Sequence, residues 1–216
     1  MKVINLTQTN SLLNEFMREL RDEQLQKDPM RFRKNIERIG EIVAYELSKH
    51  LKYEPTSVHT PLADTTVNTL ADKPVLATIL RAGLPYHQGF LQFFDHAENA
   101  FVSAYRKYTS DTEFEIHTEY IASPSLDGKT LIITDPMLAT GSSMHVAYEA
   151  LLQKGKPEKV YLASILATPQ AINYLQEVMP ENCVLYTAAI DPVLNEHKYI
   201  VPGLGDAGDL AFGEKL

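Results

Sequence analysis

Thr130-Leu131-Ile132-Ile133-Thr134-Asp135-Pro136-Met137-Leu138-Ala139-Thr140-Gly141-Ser142-Ser143 is the stretch on which the reading of the fold turns. It begins as a short run of apolar and β-branched residues, the composition of a strand buried on both faces. It continues as a loop of small and polar residues. A helix is then expected from about 143 to 154, with Gly155 and Pro157 as its stop signals. The same alternation extends to either side. Val75 to Leu80 reads as a strand before a helix that runs through Phe93, and Ala100 to Tyr105 as another strand. Val160 to Leu166 precedes a helix over 169–178, and Val184 to Ile190 is a fifth strand. Strands alternating with helices predict an α/β fold: a mainly parallel sheet flanked by helices. Two helices come first. One apolar face is formed by Leu12, Leu13, Phe16, Leu20 and Leu25 over 11–27, and a second by Phe32, Ile36, Ile39, Val43 and Leu47 over 29–51. Asp28 is the expected N-cap of the second, with Pro29 at its first position. Arg31, Arg33, Lys34 and Arg38 read as its solvated face.

One segment breaks the rhythm. Phe114, Ile116, Thr118 and Tyr120 alternate with Glu113, Glu115, His117 and Glu119, the period of a half-exposed strand. With Tyr108-Thr109-Ser110-Asp111 as a turn, this predicts an antiparallel flap over 105–121. No internal repeat, low-complexity tract or linker interrupts the chain, so 1–216 reads as a single domain.

The bulk properties limit the function classes. Apolar residues make up 44% of the 216 and charged residues 22%, an ordinary globular balance. The formal net charge of −8 argues against nucleic acid as a partner, and an anionic ligand would need a local cluster of donors. No apolar run approaches the ~20 residues that span a bilayer, so no membrane partner is expected. The N-terminus lacks a basic region followed by an apolar core, so no signal peptide is expected. Cys183, the single cysteine, excludes an intrachain disulfide and fits a reducing, cytoplasmic compartment. The seven histidines are scattered, with no pair at zinc-site spacing.

In open α/β sheets ligands bind beyond the carboxyl ends of the strands. Three expected strand ends carry Arg81-Ala82-Gly83, Arg106 and the loop from Asp135 to Ser143. The last leads into a helix, whose first turn offers unpaired N–H groups and a partial positive charge to an anion. The hydroxyls of Thr140, Ser142 and Ser143 add donors, and Asp135 suits ribose hydroxyls, so the loop could hold a sugar phosphate. An ordinary serine-capped helix is the plain alternative. Two other motifs fail on context. Gly203-Leu204-Gly205-Asp206-Ala207-Gly208 has dinucleotide spacing, but too little chain follows for a βαβ unit. Gly128-Lys129-Thr130 resembles the end of a P-loop yet precedes a strand, and Asp127-Gly128 reads as a turn.

Three strings, in order, carry a resemblance to a known family. Asp135-Pro136-Met137-Leu138-Ala139-Thr140-Gly141 matches the phosphoribosyl diphosphate motif of uracil phosphoribosyltransferases. Ile79-Leu80-Arg81-Ala82-Gly83-Leu84-Pro85 resembles their diphosphate loop, and Tyr199-Ile200-Val201-Pro202-Gly203-Leu204-Gly205-Asp206-Ala207-Gly208-Asp209 resembles their uracil-binding loop, within a uracil-binding loop region over 195–213. The resemblance implies the type I phosphoribosyltransferase fold and a salvage reaction in which uracil and phosphoribosyl diphosphate give UMP and diphosphate. It implies that Asp135, Pro136, Met137, Leu138, Ala139, Thr140, Gly141, Ser142, Ser143, Arg81, Arg106 and Asp206 bind phosphoribosyl diphosphate. It implies that Ile200, Gly205, Asp206 and Ala207 hold uracil, and that Arg81, Arg106 and Asp206 serve catalysis. Mg2+, carried mainly by the substrate, is the implied cofactor. Members form homodimers or larger assemblies and some respond to GTP, a candidate effector. The chain departs from the family pattern at Ser142, where a second glycine is usual, in Leu210-Ala211-Phe212-Gly213-Glu214, where a basic residue and Phe-Gly-Thr are usual, and in Lys107-Tyr108-Thr109-Ser110-Asp111 of the flap. No residue stands out as a general base for uracil N1. Two other readings stay open: a non-catalytic nucleotide-sensing regulator on the same fold, and a transferase for another base.

Overall fold

Thr130–Thr134 is buried along its whole length, and so are its neighbours in the sheet. The computed structural model describes residues 1–108 and 114–214, with side chains described outside 104–119. In chain order the elements are β1 Lys2–Asn5, α1 Leu13–Arg21, α2 Pro29–Ser48, β2 Tyr53–His59, β3 Asp64–Leu70, β4 Pro74–Leu80, α3 Gly83–Leu91, β5 Glu98–Tyr108 and β6 Phe114–Ala122. They continue with β7 Thr130–Thr134, β8 Met137–Leu138, α4 Ser142–Leu152, β9 Lys159–Ala167, α5 Pro169–Val178, β10 Val184–Ile190, β11 Val193–Leu194, β12 Ile200–Val201 and α6 Ala207–Phe212.

The main sheet runs β1-β10-β9-β7-β4-β5-β6, with β8 added beside β9. Every pairing on this path is parallel except β5–β6. That last pair is the expected flap, antiparallel from Phe101 opposite Ala122 to Tyr108 opposite Phe114, with a register shift between Ser103 and Ala104. The architecture is the type I phosphoribosyltransferase fold. The five expected parallel strands are all present, with ends shifted by up to three residues.

Two apolar layers explain why the strands are continuously apolar. Leu76, Ile132, Ala163 and Ala188 face a cluster built with Leu13, Leu20, Phe32, Ile36, Tyr86 and Phe90 of α1, α2 and α3. Val75, Ala77, Leu131, Ile133, Val160 and Leu162 face the opposite cluster, built with Met144, Leu151, Ala171 and Leu175 of α4 and α5. Cys183 lies in the second cluster at 1% exposure, and burial pushes its thiol up to about 12, as a small interior side chain requires. Among the described residues no helix is long and apolar enough to cross a membrane.

The structure departs from the sequence reading in several places. β1 was not expected: four residues at the edge of the sheet are too short to show a period. The hairpin of β2 and β3 was also missed, because almost all of it is exposed and no apolar face marks its strands. The first helix spans Leu13–Arg21 rather than 11–27, since Asp22 leaves helical geometry and Leu25–Lys27 forms a separate 3-10 turn. The second ends at Ser48, with Asp28 capping the N–H groups of Met30 and Arg31 as expected. Its basic residues are not a uniformly solvated face: Arg33 donates to the Ala211 carbonyl at 2.6 Å, and the Arg38 guanidinium lies 5.2 Å from the Phe16 ring centre.

Candidate functional site

β4 stands at the point where the chain order of the sheet reverses: β5 follows on one side of it and β7 on the other. Beyond such a switch point the loops diverge and leave a crevice. Thr78 and Thr134 are opposite each other near the two strand ends, and the Thr78 hydroxyl donates to the Thr134 carbonyl at 3.4 Å. Arg81 and Asp135, each one residue past its strand, therefore leave the sheet side by side.

The loop after β7 forms one wall. Asp135 is 9% exposed and accepts from the Met137 N–H at 3.2 Å, while its own N–H donates to the Ala163 carbonyl. Met137 and Leu138 form the short β8 against β9, which pins the middle of the loop. Gly141 is the N-cap residue of α4, with φ 80°, a left-handed value that favours glycine. A Cβ there would come within 3.1 Å of the Leu175 side chain. The Thr140 hydroxyl donates to the Ser142 hydroxyl oxygen at 3.1 Å, which leaves the Ser142 O–H to point elsewhere. Asp135, Met137, Leu138, Ala139, Thr140, Gly141, Ser143 and Met144 line a cleft of about 210 Å³, counting the part open to solvent. Its floor is the amino end of an eleven-residue helix. A phosphate fits such a place: small residues, hydroxyls and the first-turn amides of α4 surround it.

The carboxyl-terminal segment is the second candidate region. It was read as a loop region over 195–213, yet part of it is helix: α6 occupies Ala207–Phe212. Asp206 is the cause. Its Oδ1 accepts from the N–H groups of Gly208 at 2.9 Å and Asp209 at 3.0 Å, the geometry of an N-cap. Upstream, β11 and β12 pair antiparallel and place Ile200, 5% exposed, at the start of the turn. Val201–Pro202 is a cis peptide, and Gly203 has φ 60°. A Cβ on Gly203 would fall 2.1 Å from the Ile200 carbonyl oxygen, so only glycine allows this turn.

Arg81 Nη2 donates to Asp209 Oδ1 at 2.8 Å and Arg81 Nη1 to the Gly213 carbonyl at 3.3 Å, so the end of β4 is tied to α6. Met137 and Ala139 pack against the same apolar cluster that contains Ile200, Leu204 and Ala207. Leu138 and Met144 pack in the opposite cluster, so the loop after β7 reaches both faces of the sheet and meets the carboxyl-terminal segment on one of them. Arg106 stands in β5 opposite Ile116, but its side chain lies outside the described residues, as do Thr109, Ser110 and Asp111 of the expected turn.

Three residues of this region escaped the sequence reading. Arg21, the last residue of α1, forms two parallel 2.8 Å bonds to Asp191, just past β10, and both reach Gly203. Asp209 is the partner of Arg81. Asp191 follows a strand end, a signal that was available; Arg21 carried none.

Residues 7–214 match the family model described as uracil phosphoribosyltransferase. The chain belongs to the uracil phosphoribosyltransferase family. It is therefore a phosphoribosyltransferase, an enzyme of the pentosyl-transferring class. It is similar to the uracil phosphoribosyltransferase of Porphyromonas gingivalis, 59% identical over 216 residues with 100% of both chains covered. The uracil phosphoribosyltransferase of Thermococcus kodakarensis is 38% identical over 205 residues, covering 94% of this chain and 87% of its own. A solved protein from Aquifex aeolicus superposes with a TM-score of 0.87 at 30% identity, covering 98% of each chain. Within the family pattern, Leu210 replaces the usual basic residue, and it packs partly buried in the α1–α2 layer, its Cδ1 3.6 Å from where a Gly205 Cβ would be.

Proposed function

We propose that this chain transfers the phosphoribosyl group of phosphoribosyl diphosphate to N1 of uracil, giving UMP and diphosphate in pyrimidine salvage, with 1–216 acting as one cytoplasmic phosphoribosyltransferase domain. The observation that carries the proposal is a pair of loops: a helix-terminus cleft lined by Asp135, Met137 to Gly141 and Ser143, and the glycine-rich turn at Ile200–Gly208, whose following helix α6 is bonded to Arg81 at the end of β4.

Each group has a task in that reaction. The 5′-phosphate sits on the amino end of α4, taking N–H and O–H donors from Thr140 to Ser143. Asp135 accepts from the ribose hydroxyls, and the backbone of Pro136 to Ala139 shapes the wall beneath them. As the bond from C1 to diphosphate lengthens, positive charge grows on the sugar and negative charge on the leaving oxygens. Arg81 stabilises the second. To do so its guanidinium exchanges the single bond to the Asp209 carboxylate, and that to the Gly213 carbonyl, for diphosphate oxygens, which it can take bidentately. Arg106 is assigned the same task from the flap. Closure of the flap excludes water from an activated sugar that would otherwise hydrolyse.

Uracil presents an acceptor, a donor and an acceptor along one edge. Main-chain atoms of Ile200, Gly205 and Ala207 answer that pattern, and Gly203 lets the chain turn tightly enough to bring them together. Cytosine has an amino donor where uracil has O4. Facing an N–H, that donor would be buried unpaired, at a cost of about 1–3 kcal/mol.

Mg2+ suits the site on the chemistry of its donors. It is held through one or two carboxylates plus substrate oxygens rather than by an all-protein cage. Among the described residues no group of three or more His, Cys, Asp or Glu gathers, and Asp206 is the carboxylate that would hold it. When bound, it neutralises charge on the diphosphate. The resemblance supports GTP as an effector and a homodimer or larger assembly, which GTP titration of the rate and light scattering would check. The experiment for the main proposal is incubation with Mg2+, phosphoribosyl diphosphate and labelled uracil. UMP and diphosphate in equal amounts are expected. No UMP, or equal turnover of cytosine or a purine base, overturns it.

A further inference from the structure

Gly203 is held at both of its backbone polar groups by a single ion pair. Its N–H donates to Asp191 Oδ2 at 2.9 Å, and its carbonyl accepts from Arg21 Nη1 at 3.0 Å. The two side chains are joined to each other by parallel bonds, Nη1 to Oδ2 and Nη2 to Oδ1, each 2.8 Å. The Asp191 side chain is 7% exposed and that of Arg21 26%, so water screens this pair less than a surface one. A fork-to-fork guanidinium–carboxylate contact fixes orientation as well as distance. Asp191 is itself anchored, its N–H donating to the Ala167 carbonyl at the end of β9. The pair therefore ties the turn to the end of α1 and to the carboxyl edge of the sheet.

We infer that Arg21 and Asp191 are positioning residues, which set the place of the base-reading turn and thereby the affinity and selectivity for the pyrimidine. The inference rests on the reading above that main-chain atoms of Ile200, Gly205 and Ala207 grip the base. Gly203 lies between Ile200 and Gly205, so a displacement at Gly203 is passed to both. Backbone readout has no side-chain rotamer with which to compensate; its accuracy is that of the turn. Neither side chain is assigned contact with substrate. Loss of either partner leaves the other charge partly buried and frees the turn.

The test uses the full chain with Arg21→Gln, Asp191→Asn and Arg21→Lys. Asp191→Asn keeps an acceptor for the Gly203 N–H but breaks the ion pair. Arg21→Gln and Asp191→Asn are expected to raise KM for uracil at least about tenfold, equivalent to about 1.4 kcal/mol. The ratio of kcat/KM for uracil over cytosine should narrow, while KM for phosphoribosyl diphosphate stays within about twofold. Arg21→Lys, which keeps the charge but loses the fork, should fall between wild type and Arg21→Gln. An unchanged uracil KM in folded variants overturns the inference, as does a parallel rise in both KM values. Should Arg21→Gln not fold by circular dichroism, Arg21→Lys decides: unchanged uracil KM overturns, a selective rise supports. Calorimetric titration of UMP separates this inference from the proposed reaction. Weaker UMP binding by the variants supports the positioning role even without turnover, and equal binding overturns it. A wild-type chain that makes no UMP counts against the proposed function alone.

Discussion

Arg81 and Asp206 have proposed tasks that compete with structural ones. Arg81 pairs with Asp209, with 41% of its side chain exposed, and such a pair contributes about 0–1 kcal/mol to stability. In transition-state stabilisation one such donor is worth about 2.7–4 kcal/mol. Arg81→Ala should therefore lower kcat by about 10²–10³-fold while shifting Tm by no more than about 4 °C. Retained activity would reject its role. Asp206 caps α6, so Asp206→Ala would confound two effects, the cap alone being worth about 1 kcal/mol. Asparagine caps equally well, so Asp206→Asn should melt like wild type and lose most activity. Full activity would leave Asp206 with the cap alone. At this scale the sequence is informative where residues are contiguous: Asp135 to Ser143 and Ile200 to Gly208 are unbroken strings, and the family resemblance that implies their roles rests on them. Arg21 was not found because its partner lies 170 residues away, and nothing around an arginine at the end of an amphipathic helix distinguishes it from a solvated one.

Between elements, α1 and α2 are locked by Glu19, which accepts from Arg31 at 2.7 and 2.9 Å and from the Asn35 amide at 2.6 Å. The Arg31 bond first, then that of Asn35, hold the Glu19 carboxyl down at about 2, from an ordinary value of 4.5. The folded form is thus the more acidic one. Its contribution to stability is complete above about pH 4.5 and is lost as pH falls through about 2. Thermal melts across that range should show a steeper loss of stability for wild type than for Glu19→Gln; identical slopes would contradict the assignment. The elements that the sequence did not reveal share a cause. β1 is too short to show a period, the β2–β3 hairpin has no apolar face of its own, and α6 owes its start to a cap within a glycine-rich string that reads as a loop. Apolar periodicity reports burial, so elements that bury little, or that are nucleated by one side chain, leave no periodic trace.

For the molecule as a whole, the order of the sheet does the positioning. Because β5 and β7 leave β4 in opposite directions, Arg81 and Asp135 arise at a crevice without any long-range design of their own. Five of the parallel strands could be read from the sequence because helices on both faces demand apolar residues at successive positions. The strand order, and with it the meeting of residues near 81, 135 and 206, is a tertiary property that no local pattern records. A single structural measurement addresses that meeting: a crystal structure with UMP bound. The account predicts the 5′-phosphate against the first turn of α4 at Thr140 to Ser143, and the pyrimidine edge against main-chain atoms of Ile200, Gly205 and Ala207. UMP bound away from either loop, or held with its base turned out of the Ile200–Ala207 turn, would contradict it.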